Sequence, residues 1–308
     1  MLTLDFINVG YGDAILIRDG GAAFSMLVDC GDMTVGDGGP GSARISAAAF
    51  LRREGIRTLD LLVLTHLHRD HSGGLAELLE AVSVREFWCN YLPPREYWGG
   101  QVPVERSFSA GSRCLLESLN IYLAALKTMQ SHGTAIRLIE HSPMTAGLTA
   151  VLQAELYLED GALFRRQTEI WQRVLEGSPS DAELDELDHF INNTSIRMRL
   201  SCGDTSVELP GDVYAACWEK HALSPCTIMK LPHHGHRDSI TPKLLDMLAP
   251  QHAVISVSNT RTDDCPSSAA MAAIRARACT LHITDAVKKD GVCIPSHASV
   301  HFELETRE

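Results

Sequence analysis

The chain has 308 residues, 45% hydrophobic, 21% charged and 6% aromatic, with a formal net charge of −12. That length supports one large domain with a substantial core, or one domain carrying an insertion. No apolar run reaches the length of a membrane span, and no basic leader precedes the first strand. The acidic balance argues against a broad surface for duplex nucleic acid. Nine cysteines without a Cys-x-x-Cys pair read as reduced, mostly buried residues of a cytoplasmic protein.

Residues 2–9, 13–18 and 22–28 read as strands, and Gly20-Gly21 turns the second into the third. The first join is Asn8-Val-Gly-Tyr-Gly-Asp-Ala14. Its glycines fit a tight turn, which Asp13 is expected to tie by accepting backbone hydrogen bonds; direct contact with a metal is the alternative. The third strand ends on Asp29 before Gly31, residues 32–43 form a glycine-rich loop, and Ser46 to Glu54 supplies a helix.

The stretch Asp60-Leu-Leu-Val-Leu-Thr-His-Leu-His-Arg-Asp-His-Ser-Gly-Gly74 carries the chemistry. Its apolar run, Leu61 to Thr65, reads as a buried strand. Residues two apart on a strand point the same way, so His66 and His68 can converge on one ion where the strand ends. Asp70 and His71, on a loop beyond, can face a second. Imidazole and carboxylate are the ligands a borderline divalent metal accepts. A helix over Leu75 to Val82 leaves the site.

From 84 to 190 the pattern gives a short strand over 85–89 and a proline-bearing loop over 91–100. A helix over 112–131, a strand over 135–140, and helices over 163–175 and 182–189 follow. Residues 155–188 hold ten Asp or Glu against three Arg. This reads as a solvated acidic helical face, with an interaction surface, lid or dimer contact as the alternatives. Strands resume at Ile196 to Leu200 and around Val207, leading to Gly211-Asp212. Thr227-Ile-Met-Lys-Leu-Pro-His-His-Gly-His-Arg-Asp-Ser239 ends another strand in His233, His234 and His236, suited to a metal shell or to holding a phosphoryl oxygen. A helix over Pro242–Leu248, a buried strand over Ala253–Ser258 and a helix over Ala269–Arg277 follow. Strands over 280–284, 291–294 and 299–305 close the chain.

His-x-His-x-Asp-His at 66–71 resembles the signature of the metallo-β-lactamase fold superfamily of hydrolases. Val9-Gly-Tyr-Gly-Asp-Ala14, the Asn193-Thr-Ser195 strand entry and Leu231-Pro-His-His-Gly235 are similar to the metallohydrolase domain of ComEC-like competence proteins. The resemblance covers about residues 2–84 and 190–300. It implies an α/β fold, the αββα sandwich of the metallo-β-lactamase type, as a single domain over 1–308 with a mainly helical insertion at about 85–190. It further implies two divalent ions, zinc or manganese, held by His66, His68, Asp70, His71, Asp212 as a bridging carboxylate, and His233. Asp29 lies beneath the ligands and orients them. His234 is either a ligand or a general acid, with His236 as a second candidate for the acid, and Asp70 orients or deprotonates a water. Cys265 stands where the ComEC-like pattern has a histidine, next to Asp264; a thiolate there would favour zinc. His132, His141 and His189 are available as the separate histidine many members use, but none lies in a recognisable motif.

The activity this implies is hydrolysis by metal-activated water, most suited to a small phosphodiester, a nucleotide or single-stranded nucleic acid. Alternatives are hydrolysis of another small ester or lactone, and a non-catalytic metal-binding module that engages a protein partner or itself through the 85–190 segment.

Overall fold

Alternation along one strand shows how the layers are built. In Leu61-Leu-Val-Leu64, Leu61 and Val63 face one side and Leu62 and Leu64 the other, and all four are buried. A strand sealed on both faces belongs to a sheet covered on both faces. The structure, a computed structural model, describes residues 1–259 and 265–305.

Strands β1 (Leu2–Ile7), β2 (Ile15–Asp19), β3 (Phe24–Val28), β4 (Thr58–Val63), β5 (Ser83–Cys89) and β6 (Ala135–Leu138) lie in this order in the first sheet. The second sheet runs, in reverse order across its width, through β7 (Met144–Gly147), β8 (Gln153–Tyr157), β9 (Arg197–Cys202), β10 (Thr205–Leu209), β11 (Ile228–Lys230), β12 (His252–Ile255) and β13 (Thr280–Ile283). A hairpin of β14 (Val287–Lys289) and β15 (Val292–Ile294) precedes β16 (Ser299–Leu304). That last strand returns antiparallel to β1, with Leu2 opposite Leu304.

Helices α1 (Ala47–Arg53), α2 (Arg69–Ser72), α3 (Leu75–Ala81), α4 (Ala110–His132), α5 (Gly161–Leu175) and α6 (Asp181–Phe190) precede β9 in the chain. The remaining helices are α7 (Ala215–Trp218), α8 (Pro242–Leu248) and α9 (Ser268–Arg275). Phe6, Met26, Val28 and Val63 of the first sheet meet Met198, Leu200, Val207 and Ile228 of the second in the core between the sheets. Leu27, Leu62 and Phe87 pack outward with Phe50, Leu78, Leu116 and Trp171 of the helices. Met229, Ala253 and Ile255 do the same on the other side with Leu244, Leu248 and Met271. The result is the αββα sandwich.

The structure departs locally from the sequence reading. Strand β4 stops at Val63, and Asp70 and His71 lie in the one-turn helix α2, not in a loop. Strands β7 and β8 have no counterpart in the sequence reading, although Ala154 and Leu156 of β8 alternate inward as a strand should. The 85–190 segment therefore supplies β5 and β6 to one sheet and β7 and β8 to the other, as well as α4–α6. Among the described residues, no helix is long and apolar enough to cross a membrane.

Parallel strands β3, β4, β10, β11 and β12 carry their carboxyl ends to one edge, the usual place for a site in an α/β sheet. The β1–β2 turn closes over that edge. Gly12, at φ +126°, packs so tightly that an added Cβ would lie 2.1 Å from the carbonyl oxygen of Asp70. Gly12→Ala is expected to cost about 2–4 kcal/mol through overpacking and strain, read as a lower midpoint of thermal unfolding.

Candidate metal centre

Four histidines at this edge each have one ring nitrogen fixed by the protein. His71 Nδ1 lies 2.8 Å from Asp29 Oδ2, and His68 Nε2 lies 3.3 Å from Asp188 Oδ1. His234 Nδ1 lies 3.0 Å from the carbonyl oxygen of Ser256. Carboxylates and carbonyls only accept, so each of these nitrogens carries the proton. His66 Nδ1 sits 3.1 Å from Thr65 Oγ1 and 3.2 Å from Ser195 Oγ. Thr65 already donates to Asp29 Oδ2 and Ser195 to the carbonyl of Asn192. Both hydroxyls are thus left to accept, and His66 also carries its proton on Nδ1.

The opposite nitrogens are the ones left to face a metal, and they converge. His66 Nε2 and His68 Nδ1 are 3.2 Å apart. His71 Nε2 lies 3.2 Å from Asp212 Oδ2, and His234 Nε2 lies 3.3 Å from the same oxygen and 3.0 Å from Asp70 Oδ2. Asp70, His71, Asp212 and His234 form one group with metal-ligand spacing. Lone pairs aimed at one another, with their second nitrogens tied down, are what a set of metal ligands requires.

Charge points the same way. Asp13, Asp29 and Asp212 are buried, with Asp70 partly so, and one lysine, Lys230, reaches into the group. Its Nζ contacts Asp13 Oδ2 and lies 3.3 Å from Asp212 Oδ1. Without added cations, protons make up the deficit. Burial opposes a charge on His71, but Asp212, Asp29 and Asp70 outweigh it and hold its pKa well above the ordinary value. His234 is likewise disfavoured by burial but raised to about 9 by Asp212 and Asp70. Burial, with His71 and His68 beside it, pushes His66 well below its ordinary value. Burial alone would raise Asp212, but His234, His71 and Lys230 keep it ionised.

Asp212 is divided between two tasks. Oδ1 accepts from the backbone N–H of His233 at 2.9 Å and from Lys230, which leaves Oδ2 for the metal side. Asp29 has a similar division, accepting from Thr65 N at 2.8 Å on Oδ1 and from His71 on Oδ2. Asp13 ties its turn through the backbone, receiving Gly31 N at 2.8 Å and giving its own N–H to Asp70. Its carboxylate goes to Lys230, not to the turn, and its Oδ1 is buried without a hydrogen bond.

His233 and His234 both take left-handed backbone, at φ 48° and 50°, a conformation that costs a residue with a Cβ about 1–3 kcal/mol. This kink turns the two side chains apart. His234 enters the group with Tyr11 against its ring at 4.5 Å between centroids. His233, expected as the ligand, turns instead to Asp238, with Nδ1 2.9 Å from Oδ1, and His236 Nδ1 lies 3.4 Å from the same oxygen.

Cys265 lies beside the site with its Sγ turned to the carbonyl oxygen of His234 at 3.0 Å. Asp264 lies outside the described residues. His132 and His141 are exposed, and exposed His189 bonds to the carbonyl of Asp185.

Sequence reasoning missed Lys230, Asp188 and Asp238. Lys230 had a signal, a lone charge at the end of the otherwise apolar strand β11 (Ile228–Lys230). Asp188 was one carboxylate among ten and had none.

The family model described as the metallo-beta-lactamase superfamily matches residues 7–258. The chain belongs to that superfamily. Metal-dependent hydrolysis is the activity that this membership supports. The chain is 28% identical over 236 residues to a hydroxyacylglutathione hydrolase of Cupriavidus taiwanensis, covering 72% of this chain and 83% of the relative. Its fold is shared with the metallo-beta-lactamase fold protein YhfI of Bacillus subtilis (TM-score 0.52, 11% identity, 98% of this chain and 99% of that one). It is shared also with Zn(2+)-bound PqqB of Methylobacterium extorquens (TM-score 0.50, 12% identity, 99% and 100%).

Three outcomes follow for the centre. Cations must displace the protons on His71 and His234; displacement of the His234 proton makes metal affinity rise with pH up to about 9, by up to roughly tenfold per unit. Chelator competition across that range measures it. Stability runs the other way in metal-free protein: the His234 contribution is complete below the ordinary 6.5 and is lost as pH rises through about 9. Asp29→Asn places an amide N–H₂ or a weaker acceptor against three donors. It is expected to weaken metal binding about 10- to 100-fold in the same titration.

Proposed function

We propose that this protein hydrolyses phosphodiesters with two divalent cations, zinc or manganese, and that its substrates are small or single-stranded. The observation that carries the reading is the His233–Asp238 pair at the open side of the cluster. Asp238 accepts from Nδ1, so the doubly protonated ring presents its Nε2–H as the proton to give, and the ring is partly exposed beside Tyr214. An alkoxide leaving from phosphorus needs such a proton. A thiolate, whose conjugate thiol has a pKa of about 8.5, departs without one. The acidic surface suits a short substrate over a long duplex.

His66, His68, Asp70, His71, Asp212 and His234 would hold the two cations, which would supply a water nucleophile near neutral pH and neutralise charge on the attacked centre. Asp70, partly exposed beside His234 Nε2, orients that water from the protein side. Lys230 and the His233 N–H keep Asp212 from turning away.

The hydroxyacylglutathione hydrolase relative favours a second reading, hydrolysis of a thioester or another small ester. The test sets the two side by side. Metal-loaded protein is assayed on an alkyl phosphodiester, bis(p-nitrophenyl) phosphate, a single-stranded oligonucleotide and a hydroxyacylglutathione thioester. Phosphodiester turnover is expected. His233→Ala should lower kcat on the alkyl leaving group by about 10²–10⁴, with little change for p-nitrophenolate, which leaves without protonation. Faster turnover of the thioester than of any phosphodiester would sink the first reading. Metal analysis gives a separate check: two ions per chain in the wild type, and fewer in Asp212→Ala.

A further inference from the structure

His68 differs from the other three histidines in what holds it. The partners of His66, His71 and His234 lie at the sheet edge itself: Thr65, Asp29 and Ser256 follow β4, β3 and β12, and Ser195 precedes β9. Asp188 comes from α6, in the segment whose acidic composition reads as a solvated face. Two features show that its placement is built. First, α6 is fastened to the start of α4: Ser109 N donates to Asp181 Oδ1 at 3.0 Å, and Ser112 Oγ donates to the Asp181 carbonyl at 3.4 Å. Leu184 and Leu187 are fully buried beneath it. Asp188, four residues after Leu184, stays partly exposed at the border of that packed face, with its Oδ1 3.3 Å from His68 Nε2. Second, the residue opposite is glycine. A Cβ added at Gly111 in the first turn of α4 would lie 2.7 Å from Asp188 Oδ2, so a larger residue would displace the carboxylate.

We propose that Asp188 is the positioning residue of the first metal position: it holds the proton of His68 on Nε2 and keeps Nδ1 turned toward His66 Nε2. This inference rests on the two-cation reading above. Asp188 acts through His68 and is not itself a ligand. Helices α4 and α6 thereby set the geometry of the centre, and Gly111 makes the room for it.

The test is a metal titration of the full chain with cobalt, read by its visible absorption and by competition with a chelator. Asp188→Ala is expected to weaken the first position by about 10- to 100-fold and leave the second unchanged. Asp188→Asn keeps an acceptor oxygen for His68 and should bind within about threefold of wild type, a rescue that a direct ligand would not show. Gly111→Ala should follow Asp188→Ala in direction. Circular dichroism and thermal unfolding identify any variant that fails to fold, and Asp188→Asn then decides. Two unchanged affinities in Asp188→Ala would overturn the proposal, as would an equal loss in Asp188→Asn. A wild type that takes up only one cobalt would overturn the two-cation reading and this proposal with it.

Discussion

Charge neutrality in a buried space governs this edge of the molecule. A carboxylate removed from water is costly unless it is paired and hydrogen-bonded. Three such groups, Asp13, Asp29 and Asp212, are buried where the two sheets meet, with Asp70 at the mouth. Lys230 balances part of that charge and histidine protons balance more. Divalent cations would replace those protons on the same nitrogens. Metal binding and proton release are therefore one equilibrium here, and the fold must tolerate both states.

The histidines can serve that equilibrium because none is free to choose its tautomer. Thr65 and Ser195 spend their protons on Asp29 and Asn192, which leaves them as acceptors for His66. Asp29, Asp188 and the Ser256 carbonyl impose the same discipline on His71, His68 and His234. Preorganisation of this kind lowers the cost of assembling the ligands when the ion arrives. The left-handed backbone at His233 and His234 is part of the same economy. It separates two adjacent imidazoles into one that enters the cluster and one that faces Asp238.

The helices on the first sheet have a role beyond covering it. Helices α4 and α6 bury Leu116, Leu119, Leu184 and Leu187, and the same packing brings Asp188 to His68. The β1–β2 turn acts similarly from the other side, where Gly12 lets it touch the Asp70 backbone.

The sequence determined much by itself. Period-two alternation in Leu61–Leu64 and the clustered His66, His68, Asp70 and His71 fix a buried strand that ends in ligands, because strand geometry and metal chemistry are both local. Asp212 and the His233–His234 pair were legible as strand-terminal groups for the same reason. Tertiary structure decided which of two adjacent histidines faces inward, because a kink of two left-handed residues reverses what spacing implies. It decided that Asp13 serves Lys230, that Cys265 supports a backbone carbonyl, and that β7 and β8 extend the second sheet. It alone distinguished Asp188 from nine similar carboxylates. Partners 120 residues apart in the chain meet only after α6 has packed, and nothing in local composition records that meeting.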